Sequence, residues 1–328
     1  MALSAAFVDA HIADWQQRLT SPVYPHRKRW PANLFHHAPI ENAVAILRDG
    51  YLRSRNDPKN QRPKDVAAPG VIEAREHAHN RVRLYFRPKS PTQWHIEGIR
   101  KAGEYRYGES VHAAVLVMFA LDAKTVLARP DIMFSDKNMQ LANTVPGSNE
   151  AYFSQIPFPK VFSEGSTGGD RSYTEARCAE VLPSSPLDLR TCLRAIYLRS
   201  EPERDTLLYM LGGNRDEWEN FCHVSDALKV FQKDYTFVQE IRLTNDGVVF
   251  RLNPRRDLRS ISVKIDVWDA KGKNVINFLN SDHAPQPNPP ALNWIFRHKL
   301  PDGLYRLEVK LENNSAYRNE IILGDTLF

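Results

Sequence analysis

The carboxylate with the most suggestive setting in this chain is Glu180, which lies in the apolar strand candidate RCAEVL at 177–182. An acid is costly in an apolar strand unless it is paired or hydrogen-bonded. The patterns of several other catalytic classes are missing, because the sequence has no P-loop, GxGxxG, HExxH, GxSxG or zinc-ligand spacing. His77 and His79 form an HxH pair, but no ligand set completes a metal site around them, which favours a solvated helix face.

Two runs of cations could contact phosphates. Lysine and arginine total 44 against 39 acidic residues, which gives a net charge of +5. This faint basic bias permits a polyanionic partner but does not require one. Charge runs are also common on solvated surfaces, so both interpretations of these clusters stay open. The clusters are His26, Arg27, Lys28 and Arg29 in the first half, and Arg255, Arg256 and Arg259 further on.

The elements that must position these groups follow from the spacing of apolar residues. Helical spacing predicts helices over 3–19 and over 40–49, and Gly50 is the expected stop of the second. The stretch 142–176 is rich in Gly, Pro and Ser and cannot be regular throughout. Strands are predicted in RVRLYF, VHAAVLVMFAL, 179–182 and 194–198, and further helices in EPERDTLLYML and DEWENFCHVSDALKVF.

The chain is long enough for about two domains. After about residue 238 the pattern changes to six or seven short alternating runs separated by DG, KGK, PDG and NNS turns. This pattern is typical of an all-β sandwich. We therefore predict a first domain over 1–244 and a β-sandwich accessory or binding domain over 245–328.

Composition sets the compartment that we expect. No apolar run approaches the 18 to 20 or so residues that a membrane span requires, and the N-terminal residues do not have the pattern of a secretory peptide. The three cysteines, Cys178, Cys192 and Cys222, are too few and too far apart for a disulfide framework or metal knuckles. We expect a cytoplasmic protein with reduced, structural cysteines and no membrane partner.

Five short segments in a fixed order carry a resemblance. They are LFHHAPIENAVAILRDGYL at 34–52, VIEAR at 71–75, LYFRPKSPTQW at 84–94, IMFSDKN at 132–138 and RCAEVL at 177–182. Together they resemble the DarT family of nucleic-acid ADP-ribosyltransferases, over roughly residues 33 to 210. The resemblance implies an α+β fold with the split β-sheet core of ADP-ribosyltransferases and helices around it.

The resemblance also implies catalytic residues. Glu180 matches the family's catalytic glutamate, whose carboxylate can bond the ribose 2′-hydroxyl and stabilise an oxocarbenium-like state. Arg75 matches the arginine near the acceptor base, although the stretch from Arg75 to Tyr85 is shorter than is usual in the family. The alternative for Glu180 is a solvent-facing edge-strand glutamate, and for Arg75 an ordinary surface arginine.

The NAD+ site implied by the resemblance comes from the first and third segments. His36 matches the residue that seats the NAD+ ribose, with His37 leaving the register open by one, and Asn42 could bond NAD+ or cap the helix. Tyr85 and Phe86 lie on the strand that flanks nicotinamide, and we expect one of the two to face the ligand while the other packs in the core. In this sequence Ala38 and Pro39 replace the usual Thr or Val followed by His, and Thr92 replaces Met.

The acceptor side is implied by the flexible stretch 152–176, which comes shortly before Glu180. In the wider superfamily this stretch recognises the acceptor, and here Arg171, Arg177 and Tyr173, together with Tyr152 and Phe158, supply cations and aromatic faces for an unstacked base. Asn138 could touch substrate or organise its own loop, as could Asp136.

We therefore expect an NAD+-consuming mono-ADP-ribosyltransferase without a metal, acting on a base of a single strand because a duplex hides the reactive edges. DNA is the family's usual acceptor and RNA the alternative. The resemblance implies a toxin or phage-defence effector, neutralised by a macrodomain ADP-ribosylglycohydrolase or by a directly binding antitoxin. A non-catalytic nucleic-acid- or partner-binding protein on a decayed transferase fold is the alternative of another class. An RNA 2′-phosphotransferase is disfavoured because its wider basic set is not found at matching positions.

Overall fold

The computed structural model describes residues 3–66, 79–101, 103–105, 107–108, 111–254, 259–284 and 294–324. Two compact units share the chain, and each is built from separate stretches of sequence. The first unit comprises Met1–Ile96, Val117–Tyr197 and Ser225–Gln232, and the second comprises Glu97–Leu116, Leu198–Val224 and Lys233–Phe328. The predicted domain boundary near residue 245 stays a prediction.

Short helices and strands make up the first unit. Its helices are α1 Ala5–Arg18, α2 Ile40–Asp49, α3 Pro91–Ile96, α4 Ala123–Leu127, α5 Glu150–Phe153, α6 Phe158–Val161, α7 Arg171–Ala176 and α8 Leu189–Cys192. Its strands are β1 Asn33–Pro39, β2 Tyr51–Leu52, β3 Leu84–Tyr85, β4 Leu116–Asp122, β5 Met133–Ser135, β6 Glu180–Leu182, β7 Leu187–Asp188 and β8 Leu193–Leu198. A 3-10 segment, Pro25–Ala32, precedes β1.

Six of these strands are neighbours in one sheet, in the order β5, β6, β3, β1, β4, β8. The register sets Phe35 opposite Tyr85, and Tyr85 opposite Glu180. Ser135 faces Glu180 from the other side. Strand β6, which carries Glu180, is therefore an inner strand with a neighbour on each side, so the edge-strand alternative for this glutamate is wrong.

Helix α2 has the bounds that its apolar spacing predicts. Ile40, Ala43, Val44 and Leu47 are its buried residues, and they lie on one face at helical spacing. Gly50 ends the helix with a φ of 79°, a left-handed conformation that glycine adopts without steric cost. A Cβ at Gly50 would also displace the Arg190 guanidinium, but that side chain can move, so the backbone conformation is what requires glycine.

The second unit is mainly β. It contains the helices α9 Glu201–Leu211 and α10 Arg215–Trp218, and the strands β9 Cys222–Val224, β10 Val238–Thr244, β11 Gly247–Leu252, β12 Ile261–Asp269, β13 Asn274–His283, β14 Trp294–Ile295, β15 Gly303–Leu311 and β16 Asn314–Leu323. Strands β10, β11 and β14 form one sheet, and β13, β12, β15 and β16 form another, with antiparallel pairing throughout. Apolar side chains of both sheets belong to one buried cluster. The predicted α+β class is confirmed.

The helix predicted in DEWENFCHVSDALKVF is wrong beyond its first turn. After α10 the chain forms a short 3-10 turn and strand β9, and residues 225–232 have no regular structure. Two carbonyls of that last segment accept side-chain hydrogen bonds, Leu228 from Trp30 Nε1 at 2.9 Å and Val230 from Gln93 Nε2 at 2.8 Å. These tertiary bonds use carbonyls that a helix would keep for its own ladder.

Neither a membrane-spanning helix nor a cluster of metal ligands is found among the residues that the structure describes. Among them, no helix combines the length and the apolar character that crossing a bilayer requires. In the same residues no group of three or more His, Cys, Asp or Glu side chains could hold a metal ion. All three cysteines are buried and free of disulfides.

Candidate active site

Glu180 is the centre of the candidate site. Its side chain is fully buried, although it is the first residue of β6. The backbone N–H of Met139, in the loop after β5, donates a hydrogen bond to Glu180 Oε2 at 2.9 Å. The other oxygen, Oε1, receives no hydrogen bond from the residues that the structure describes. One oxygen therefore fixes the carboxylate, while the second is left to accept a bond from a ligand.

Arg83 supplies a cation beside this carboxylate. Its Nη1 lies 3.7 Å from Glu180 Oε1, which is ion-pair distance but longer than a hydrogen bond. Burial raises the pKa of Glu180, and the Arg83 charge, the Met139 N–H and the Tyr85 hydroxyl oppose that rise. Arg83 Nη2 is itself buried without a hydrogen-bond partner among the described residues. The Glu180 carboxylate and the Arg83 guanidinium are thus neighbours, and each has one atom without a hydrogen-bond partner among the described residues.

Sequence reasoning missed Arg83 and Met139. The alternation in RVRLYF does contain a signal for the first, because Arg83 and Tyr85 are two residues apart and share one face of an extended chain. Tyr85 is the direct partner of Glu180 in the sheet, so that face meets the carboxylate. Met139 acts through its backbone N–H, which any residue except proline supplies, so no side-chain pattern could indicate it.

Two histidines in the middle of β1 contact Arg83 and Tyr85, the residues beside this carboxylate. His36 Nδ1 is 2.9 Å from the Arg83 carbonyl oxygen, and since a carbonyl can only accept, Nδ1 carries the proton and Nε2 is an acceptor. The His37 ring stacks on Tyr85 with centroids 5.3 Å apart and planes 16° from parallel. Burial lowers the pKa of both rings, that of His37 to about 3, so both are neutral at physiological pH.

Tyr85 and Phe86, adjacent in sequence, have different surroundings. Tyr85 receives a 3.3 Å hydrogen bond from Thr92 Oγ1 and adjoins Glu180 in the sheet. Phe86 packs edge-on against Phe153 and Phe158, at centroid distances of 5.9 Å and 5.3 Å. Of the two aromatics, Tyr85 is therefore the one placed beside the catalytic candidate.

This difference gives a prediction about the aromatic pair. Tyr85→Leu should lower the rate of ADP-ribosyl transfer by about tenfold or more, because it removes the ring that stacks on His37 and flanks Glu180. Phe86→Leu should leave the KM for NAD+ within about twofold and cost about 1 to 2 kcal/mol of unfolding free energy through lost packing. Steady-state kinetics and denaturant unfolding of both variants measure the two effects. Equal losses of activity in the two variants would contradict this placement.

Two asparagines that were candidates for ligand contacts hold loops. Asn42 Nδ2 donates to the Lys64 carbonyl at 2.7 Å, and Asn42 Oδ1 accepts from the Lys64 N–H at 2.9 Å. Asn138 Oδ1 accepts from the Gln140 N–H at 2.9 Å, and the Asn138 carbonyl accepts from Thr144 Oγ1 at 2.7 Å. Asn138 thereby shapes the loop that delivers the Met139 N–H to Glu180. Their contacts with substrate stay predictions.

Residues 162–177, here called the acceptor segment, lead directly to Glu180. Arg177 Nε donates to Ser163 Oγ and its Nη2 to the Gly165 carbonyl, both at 3.0 Å, so this guanidinium closes the segment on itself. The Tyr173 ring lies under Lys160 Nζ at 5.1 Å. Arg171 is exposed at the start of α7. Of the three predicted acceptor contacts, Arg171 is the most accessible.

Arg75 lies outside the described residues, as does His77. The structure therefore neither joins Arg75 to the Glu180 pocket nor separates it from that pocket, and its predicted role stays a prediction. His79, the second histidine of the HxH pair, is buried. It does not belong to a solvated helix face.

This chain is similar to a known protein family and to several solved structures. The family model described as "ssDNA thymidine ADP-ribosyltransferase, DarT" matches residues 35–227. Thermus sp. 2.9 DarT in complex with ADP-ribosylated ssDNA is 18% identical, with a TM-score of 0.47 over 57% of this chain and 90% of that one. The same protein with carba-NAD+ is 21% identical, with a TM-score of 0.44 over 57% and 92%. Thermosipho africanus DarTG with ADP-ribose is 17% identical, with a TM-score of 0.42 over 65% and 54%. Curated proteins gave no match.

The family model covers more than half of the chain, from within β1 to beyond β9, and includes His36, His37, Arg83, Tyr85, Met139 and Glu180. A family match of this extent defines an enzyme that transfers ADP-ribose from NAD+. The chain belongs to the DarT family of single-stranded-DNA thymidine ADP-ribosyltransferases. The predicted family, enzyme class and use of NAD+ as co-substrate are thereby confirmed.

Proposed function

We propose that this chain transfers ADP-ribose from NAD+ to the thymine base of a thymidine in single-stranded DNA, with Glu180 as the catalytic carboxylate. The observation that carries the proposal is the fully buried Glu180, held through Oε2 by the Met139 N–H and left without a hydrogen-bond partner at Oε1 among the described residues. A buried carboxylate with one unused oxygen is suited to a hydroxyl-bearing, cationic transition state.

In the reaction the bond between the ribose anomeric carbon and the nicotinamide nitrogen breaks, and its electron pair leaves with nicotinamide. Glu180 Oε1 accepts a hydrogen bond from the ribose 2′-hydroxyl and stabilises the positive charge that develops on the ribose ring. A nitrogen or oxygen of the thymine base supplies the electron pair for the new bond, and the base loses its proton to solvent or to a basic group.

Neutral histidines suit the ribose end of this site. His36 Nε2 is an acceptor because Nδ1 donates to the Arg83 carbonyl, so it can accept a hydrogen bond from a ribose hydroxyl. A charged imidazole would repel the developing oxocarbenium charge, and the lowered pKa values of His36 and His37 avoid this repulsion. The stack of His37 on Tyr85 gives the pocket a rigid aromatic wall.

Arg83 acts as a positioning residue. Its charge, 3.7 Å from Glu180 Oε1, opposes the effect of burial and favours the ionised carboxylate that the reaction needs. Its unpaired Nη2 is available to an acceptor atom of the bound substrates. Asn42 and Phe86 then support the site through their loop and core contacts, while Arg171, Tyr173 and Arg177 serve the acceptor side.

We further propose that the enzyme acts in the cytoplasm as a toxin or defence effector that is neutralised by an antitoxin, either a macrodomain glycohydrolase or a direct inhibitor. Family membership supports this proposal, because modification of thymidine in single-stranded DNA would block copying of the strand. Expression in cells with and without a candidate antitoxin gene tests it. Equal growth with wild type and Glu180→Gln would contradict a toxic role based on catalysis.

The two antiparallel sheets of the second unit support a β-sandwich with a binding role, toward the antitoxin or the DNA strand. Arg259 is exposed and its Nη1 pairs with Glu104 Oε1, while Arg255 and Arg256 lie outside the described residues. Replacing the three arginines by alanine should weaken binding to one of these partners. Unchanged binding of both partners would refute the assignment.

Incubation of the protein with labelled NAD+ and separate acceptors tests the proposed function. Label should enter single-stranded DNA that contains thymidine, and a matched strand without thymidine should stay unlabelled. Label in RNA would support the alternative acceptor. Label confined to protein would overturn both nucleic-acid proposals.

A further inference from the structure

Residues 25–32, which precede the family match, pack against the acceptor segment. His26 Nε2 lies 2.6 Å from Glu164 Oε2, and Arg27 Nη1 donates to the Phe162 carbonyl at 3.2 Å. A Cβ at Gly165 would lie 3.1 Å from the Tyr24 hydroxyl, so Tyr24 approaches this glycine closely. The match begins at residue 35, so these contacts come from residues outside the matched segment.

Helix α1 packs against the same region through its ring-bearing side chains, His11 and Trp15. The rings of His11 and Phe158 are 4.5 Å apart, and those of Trp15 and Phe162 are 5.5 Å apart. Ser4 Oγ donates to Glu150 Oε1 at 2.8 Å. The N-terminal stretch therefore fixes α5, α6 and the start of the acceptor segment in one arrangement.

The carboxylate at this junction is already neutralised. Lys89 Nζ lies 2.9 Å from Glu164 Oε1, on the opposite oxygen from His26. Burial opposes ionisation of Glu164, but Lys89 and His26 lower its pKa. Glu164 thus serves as an internal anchor between the two segments and has no free oxygen to pair with surface cations.

Three cations on the two segments joined by Glu164 lack a carboxylate partner among the described residues, although Arg29 Nη1 donates to the Ala227 carbonyl at 3.5 Å. Lys28, Arg29 and Arg171 are exposed, and within the described part of the chain none of them has a carboxylate at ion-pair distance. Arg27 adds a buried Nε without a hydrogen-bond partner there. Gly168 and Gly169, with φ values of 59° and 84°, have open space where a side chain would be, so a bulky polymer can approach the backbone.

We infer that Lys28, Arg29 and Arg171 form a phosphate-binding edge for the nucleotides that flank the modified base. The inference rests on the proposed function, because a single strand is the polyanion that must pass the acceptor segment. Base contacts select the target, while phosphate contacts fix the strand in register. Exposed cations without carboxylate partners, on two segments joined by the Glu164 anchor, are suited to such phosphate contacts.

The diphosphate of NAD+ could also supply the phosphate groups that these cations bind. The test distinguishes the diphosphate of NAD+ from the phosphates of the DNA strand. The variant is Lys28→Ala/Arg29→Ala/Arg171→Ala, and the matched control is Arg18→Ala/Arg48→Ala/Lys59→Ala, three exposed cations of the same unit. Binding of a single strand of about 20 nucleotides is measured by fluorescence anisotropy without NAD+, over a range of salt concentrations. Transfer rates are measured in parallel on that strand and on a trinucleotide.

Removing three phosphate contacts should reduce the slope of log affinity against log salt by about 2, since each contact on a single strand contributes about 0.7. The KM for the long strand should rise about tenfold and by more than the KM for the trinucleotide, whose base contacts include Arg171, while the KM for NAD+ stays within about twofold. The control variant should behave as wild type. An unchanged salt slope, or a rise in the KM for NAD+ alone, would overturn the inference. Absence of transfer by wild type with an intact binding difference would instead overturn the proposed function.

Discussion

Glu180→Gln is expected to lower kcat for ADP-ribosyl transfer by about 10² to 10³-fold, the range measured when one electrostatic stabiliser of a transition state is removed. Glutamine keeps the size of the side chain and can still accept the Met139 hydrogen bond. It loses the negative charge that stabilises the oxocarbenium-like state. Single-turnover kinetics with labelled NAD+ and single-stranded DNA measure the loss.

The same substitution should lower activity without lowering the stability of the folded protein. Burial raises the pKa of Glu180, so the folded state resists its ionisation more than the unfolded state does, and folding loses stability as the pH rises through the ordinary range of a glutamate. Glutamine carries no such cost. The variant should be at least as stable as wild type at neutral pH in denaturant unfolding. A variant that was inactive and strongly destabilised would indicate a structural role instead.

Arg83→Met is expected to have the second largest effect, because it leaves the Glu180 carboxylate buried without its nearest cation. The pKa of Glu180 should rise further, so a larger part of the enzyme is protonated and inactive at a given pH. We expect about a tenfold loss or more near pH 6, with partial recovery as the pH is raised. The pH profile of kcat/KM for both proteins measures this shift.

Other groups around Glu180 bear on that profile. Tyr85 faces it from β3, Cys178 lies two residues before it, and the Met139 N–H comes from the loop after β5. Burial raises the pKa of Cys178 to about 12 and keeps Tyr85 neutral as well, so neither titrates near pH 6. Arg83→Lys retains the charge and should restore most of the profile. An unchanged acid limb in Arg83→Met would contradict the positioning role.

The parts of the fold that the sequence predicts well are those controlled by local rules. Helix α2 follows from its apolar spacing and the stop at Gly50, and Glu180 follows from an apolar strand interrupted by one acid. The helix expected after Trp218 fails because the carbonyls of Leu228 and Val230 bond distant side chains. No local pattern reveals such tertiary demands.

For the candidate site, the sequence indicates which residues belong to the site better than it indicates which residues they contact. Arg83 was detectable from its alternation with Tyr85, but its distance from Glu180 depends on the pairing of β3 with β6. The different roles of Tyr85 and Phe86 depend on the packing of Phe86 against Phe153, which belongs to a helix far away in sequence. The role of each of these residues is therefore decided by contacts between elements far apart in sequence, which local patterns do not reveal.

Mass spectrometry of nucleosides released from single-stranded DNA after reaction with NAD+ tests the central claim most directly. The account predicts a thymidine nucleoside heavier by one ADP-ribose unit, formed by wild type and lost in Glu180→Gln. Fragmentation should place the added group on the base. An adduct on another nucleoside, an adduct formed equally by Glu180→Gln, or no adduct with active NAD+ consumption would contradict it.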